Sequence, residues 1–65
     1  MNQIKKDYDA LIVEGSRMAE AIRTAVMLNP DATLAEAQNA LPDLHPGSIA
    51  NRYRESKRVS KEMDG

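Results

Sequence analysis

The chain contains no cysteine, phenylalanine or tryptophan, and its only aromatic residues are Tyr8 and Tyr53. Without cysteine there is neither a disulfide scaffold nor a thiolate metal site. No run of large apolar residues exceeds the three of Leu11-Ile12-Val13, which excludes a membrane-spanning helix. The opening Asn2-Gln3-Ile4-Lys5-Lys6-Asp7 lacks the apolar stretch of a secretory signal peptide, so the expected compartment is the cytoplasm. No alternating segment with a hairpin turn is present, so strands are not expected. Neither sign of charge dominates: 9 basic and 10 acidic residues leave a net charge of −1. That balance argues against disorder, which usually accompanies a large net charge.

What the chain does hold is enough for one small domain. Of its 65 residues 42% are hydrophobic, and nine of these are alanine. A core of this size is marginal alone, so help from a second copy is expected.

Ile4, Tyr8, Leu11 and Ile12 fall at helical spacing, and the pattern continues through Met18, Ala19, Ile22, Ala25 and Val26. Read as heptads, positions 4, 11, 18 and 25 form one seam and 8, 15 and 22 the other. The spacing favours one helix from about 3 to 28, kinked at Gly15-Ser16. In the alternative, a helix pair, Gly15 ends a first helix and Ser16 caps a second. Met18 and Met27 are expected in core or dimer packing. Tyr8, Leu11 and Ile12 fit equally an inward face or a face against a second copy. Asn29-Pro30 stops this element, since Asn tolerates a left-handed conformation and Pro30 cannot continue a helix. Thr33-Leu34-Ala35-Glu36 fits a capping box. A bracing helix is expected from 34 to 41, with Leu34, Ala37 and Leu41 on one face, closed by Pro42. Pro46 suits a first helical position, or Ser48 caps the last helix, expected from 47 to 61.

The charge is unevenly distributed. Residues 1–44 carry four basic and seven acidic groups, while residues 45–65 carry five basic and three acidic groups. A basic segment on a near-neutral protein is a candidate footprint for a polyanion. On a helical wheel of about 100° per residue with Ile49 at zero, Tyr53, Ser56 and Ser60 lie within about 40° of it. Leu41, Ile49 and Tyr53 are therefore the expected anchors of the last helix. Asn51, Arg54 and Arg58 fall at about 140–200°, an outward ridge. Asn can bond adenine through a donor and an acceptor, and Arg can bond guanine through two parallel hydrogen bonds, so these three are the candidate base contacts. Arg52, Lys57 and Lys61 flank the ridge and, with Ser48 at the helix start, are the candidate phosphate contacts. Gly47 and Ser48 are small enough for close approach of a phosphate.

The run Ala40-Leu41-Pro42-Asp43-Leu44-His45-Pro46-Gly47-Ser48-Ile49-Ala50-Asn51-Arg52-Tyr53-Arg54 resembles the helix-turn-helix end of Myb/SANT and other homeodomain-like domains. There a Leu-Pro closes the second helix, and an Ile followed by Asn, a basic residue and an aromatic sits in the recognition helix. The resemblance implies a base-contacting role for Asn51 and core roles for Ile49 and Tyr53. The spaced tryptophans of Myb repeats are absent and Ala50 stands where a basic residue is common. The implied relatives are therefore small bacterial or bacteriophage regulators of similar layout.

Catalytic arrangements find no support. Asp7 and Asp9 do not face each other on a helix. Ser16, Ser48 and Ser56 lack a base, since the only histidine, His45, sits in a turn. Neither a glycine-rich phosphate loop nor a second ligand for a metal beside His45 is present. The expectation is an all-α, three-helix helix-turn-helix domain without catalytic activity, metal or cofactor. It would bind double-stranded DNA as a transcriptional regulator and pair into a homodimer through the N-terminal helix. The alternative is a protein-binding adaptor or inhibitor, possibly phage-encoded, docking through the acidic N-terminal helix with Asp7, Asp9, Glu14 and Glu20.

Overall fold

The computed structural model describes residues 2–64, with side chains through Val59. It is all-helical among the described residues: α1 (Ile4–Val13), α2 (Met18–Met27), α3 (Leu34–Ala40) and α4 (Pro46–Asp64). The expectation of three helices with a continuous first one is corrected to four. Gly15 is the reason. It adopts φ +103°, and α1 ends around it. The Ser16 N–H donates to the Leu11 carbonyl and the Gly15 N–H to the Ile12 carbonyl, both at 3.0 Å. This six-to-one and five-to-two pair is a Schellman closure, in which glycine at the left-handed position satisfies the last carbonyls of a helix. Gly15 therefore ends a helix, as in the helix-pair alternative. The residue before α2 is the extended Arg17, not Ser16, and it supplies no side-chain cap.

Breaking the helix also breaks the heptad seams. Ile4, Ile22 and Ala25 are fully buried, but Met18 is 52% and Met27 37% exposed. Neither methionine reaches the core, because α2 starts a new rotation that turns Ala21, Ile22, Ala25 and Val26 inward instead. Leu11 is half-buried and Ile12 exposed, while Tyr8 packs on the core.

α1 and α2 fold back on each other, tied by Asn29. Its side-chain amide nitrogen donates to Asp7 (2.9 Å) and to the Ala25 carbonyl (2.7 Å). Its side-chain oxygen accepts from the Gln3 N–H at 2.8 Å. Asn29 is thus chosen for its side chain, and the left-handed backbone expected of it is not adopted: no described non-glycine residue has positive φ.

The capping box at α3 forms as a pair of reciprocal bonds. The Glu36 N–H donates to Thr33 Oγ1 (3.2 Å), and the Thr33 N–H donates to Glu36 Oε1 (3.0 Å). α3 closes at Ala40 with Leu41 as its C-cap, buried, and Ala37 also buried. A tight connection then leads to Pro46, the first residue of α4. His45 caps that helix, its Nδ1 accepting from the Gly47 N–H at 3.0 Å. A Cβ at Gly47 would lie 2.9 Å from His45 Cε1, so a side chain there would displace the capping ring. Gln38 of α3 donates to the Pro46 carbonyl (3.2 Å), fixing the corner.

One cluster holds the helices together: Ile4, Ile22, Ala25, Val26, Ala32, Ala37, Leu41 and Ile49. Its most extensive pairing is α2 against α4. The Cα radius of gyration, 10.8 Å, matches the roughly 11 Å of a close-packed chain of this length, so all four helices pack as one body.

Two outcomes follow. Gly15→Ala forces a side chain into a conformation costing roughly 1–2 kcal/mol, and urea denaturation should show a loss of that size. An unchanged midpoint would remove Gly15 as the determinant of the break. Second, the Thr33 N–H and then its hydroxyl hold the Glu36 carboxyl below its ordinary value of 4.5. A depressed folded value contributes stability above the unfolded one and loses it as pH falls through the folded one. The thermal midpoint of the wild type should therefore fall more on acidification below pH 4.5 than that of Glu36→Gln.

Candidate nucleic-acid interface

The orientation of α4 about its own axis decides which of its side chains meet solvent. Ile49 is fully buried, Ser56 is 1% and Ala50 9% exposed. Tyr53 is half-buried against the core, and its hydroxyl donates to the Ala32 carbonyl at 3.0 Å. The Ser56 hydroxyl lies inside the molecule without a hydrogen-bond partner. With that face inward, Asn51, Arg54 and Arg58 stand exposed along the opposite side. Neither Asn51 nor Arg54 has a polar partner among the described residues, while Arg58 takes part in an interaction within the chain. The three are thus brought onto one ridge.

The expected phosphate contacts are arranged less uniformly. Ser48 is exposed at the start of α4. Lys57 is half-buried: its Nζ donates to the Pro30 carbonyl at 2.6 Å and sits 5.3 Å from the centre of the Tyr53 ring. A cation over an aromatic face is attracted by the ring quadrupole, so this lysine ties α4 to the loop after α2. Arg52 Nη1 pairs with Glu55 Oε2 at 3.0 Å. The Lys61 side chain lies outside the described residues.

Two pairings of Glu55 escaped the sequence reading. Glu55, the one acidic residue between 52 and 61, also accepts a hydrogen bond from Arg23 of α2. The Arg52–Glu55 spacing of three is visible along the chain. The link to Arg23, 32 residues away, follows only from packing α2 beside α4. Met18, Ala19 and Ile22 of α2 and Ser48, Asn51 and Arg52 of α4 line one groove of about 320 Å³. α2 therefore borders the ridge on its Arg52–Glu55 side.

Among the described residues no group of three or more His, Asp or Glu is placed to hold a metal ion, and no helix is long and apolar enough to cross a membrane. No protein-family model, curated protein or solved structure matches the chain.

The polar seat of α4 is testable apart from any ligand. Tyr53→Phe removes the bond to the Ala32 carbonyl and should lower stability by about 1 kcal/mol, with helical circular dichroism unchanged. A neutral substitution would show that the hydroxyl is not part of the seat.

Proposed function

We propose that the protein binds double-stranded DNA sequence-specifically as a small helix-turn-helix transcriptional regulator, with α4 in the major groove. The observation that carries this reading is the pairing of a fully buried Ile49 with an exposed Asn51, Arg54 and Arg58 on the same helix. A short α3 followed by α4, with Gln38 bonded to the Pro46 carbonyl, supports this reading, since such a docking needs a bracing helix and a sharp turn. In this reading Asn51, Arg54 and Arg58 meet base edges and Ser48 and Lys61 meet phosphates, while Arg52 and Lys57 reach phosphates by releasing Glu55 and the Pro30 carbonyl. One module of this size offers few contacts, so two copies joined through the N-terminal helix region would bind a two-fold-related site. Ile12, Val13 and Met18, exposed about the α1–α2 turn, supply apolar surface for that contact.

The same turn favours a second reading. Exposed Asp9, Glu14 and Glu20 accompany those apolar residues, a mixture suited to docking on a basic protein surface as an adaptor or inhibitor. The two readings separate on random-sequence duplex at low salt. A DNA binder is retained and released steeply as salt rises, whereas an adaptor of net charge −1 passes through.

Binding-site selection from random duplex with the intact protein tests the proposal directly. Asn51→Ala and Arg54→Ala should each reduce discrimination against mismatched sites by roughly 1–3 kcal/mol. If both bind the selected site as the wild type does, the ridge is not the reading surface.

A further inference from the structure

We propose that Glu55 is an internal competitor for DNA phosphate: it occupies Arg52 in the free protein and yields it to the backbone in the complex. The inference rests on the DNA reading above and assigns the regulation of that site's affinity.

Glu55 uses both carboxylate oxygens. Oε2 accepts from Arg52 one turn back on α4, and Oε1 accepts from Arg23 on α2. The three side chains are about one-third exposed, 35%, 34% and 35%, so they are within reach of a ligand without unfolding. On the wheel Glu55 lies about 40° from Asn51, on the flank bordered by α2. With the ridge in the major groove, that flank faces the backbone of one strand. A bare carboxylate there would repel phosphate. Two guanidiniums around one carboxylate instead leave a local charge of +1.

A guanidinium presents the same planar fork to carboxylate and to phosphate. Of the five N–H donors of Arg52, Glu55 engages those of Nη1, so turning the Nη1–Nη2 fork onto a phosphate requires Glu55 to let go. When it does, Arg23 still pairs with Glu55, so the carboxylate is not left uncompensated. Arg23 is the positioning residue of the exchange, and Arg52 is the group that moves. The consequence is lowered affinity for all sequences alike, because a phosphate contact carries no base information.

The test uses random-sequence duplex and the full chain, with Asp31→Asn as control. Asp31 is exposed in the loop after α2, and its neutralisation changes net charge by the same amount. Glu55→Gln should bind about two- to fivefold more tightly than Asp31→Asn, the range of a part-exposed ion pair. In an Arg52→Gln background that advantage should shrink, since only the carboxylate's own repulsion is then relieved. Arg52→Gln alone keeps the Arg23–Glu55 tie between helices, so it stays informative even if Glu55→Gln loosens the fold. It should reduce the slope of log affinity against log salt by about 0.9, one phosphate contact. An advantage of Glu55→Gln no larger than that of Asp31→Asn, one undiminished in the Arg52→Gln background, or an unchanged slope in Arg52→Gln, overturns the exchange while leaving DNA binding standing. Wild-type protein that leaves the duplex unbound at low salt overturns the DNA reading and this inference with it.

Discussion

The rotational setting of α4 is the constraint on which the rest of the molecule depends. Among the described residues, Ile49 is the only large apolar side chain of that helix to be fully buried, in a cluster with Ile4, Ile22 and Val26. Burying one such side chain supplies about 1.5–3 kcal/mol, which is little for holding a helix of 19 residues. Polar ties complete the seat. Tyr53 reaches the Ala32 carbonyl, Lys57 the Pro30 carbonyl, and Glu55 the guanidinium of Arg23. These fix the helix from two sides, the loop after α2 and α2 itself. A rotation of one residue, about 100°, would turn Ile49 out of the core and carry the Asn51–Arg54–Arg58 ridge away from its outward direction.

The seat is built partly from the residues that make α4 basic. Arg52 and Lys57 serve the fold through Glu55 and Pro30, whereas Asn51 and Arg54 have no polar partner among the described residues. A charge count along the helix treats Arg52, Arg54 and Lys57 alike. In the folded chain they separate into two groups, those holding the helix and those displayed by it.

A chain with so few large apolar residues relies on local backbone chemistry to shape its elements. The capping box at Thr33–Glu36, the Schellman closure at Gly15 and the His45 cap at Gly47 each satisfy helix-end groups within a few residues. Such bonds need no long-range partner, so they reduce the ordering left for a small core to drive. The α1–α2 turn is their main product. It converts one amphipathic stretch into two helices that cover each other and leaves Ile12, Val13 and Met18 at the bend.

Local signals were legible along the chain in proportion to how few residues they involve. Thr33 and Glu36 form their box because the partners lie three apart, and Pro46 opens α4 because its fixed φ suits a first turn. Asn51, Arg54 and Arg58 share a face because helical periodicity alone puts them there. The break at Gly15 was not decided in this way. A glycine inside an apolar repeat suits a kink or an end equally, and only the energy of packing α1 back on α2 chooses between them. The tertiary structure likewise determined that Asn29 acts through its side chain, that Met18 points outward, and that Glu55 joins Arg23. The Asn29 and Glu55 bonds join elements distant in the chain, and the geometry that brings such partners within hydrogen-bond range exists only after the core has closed.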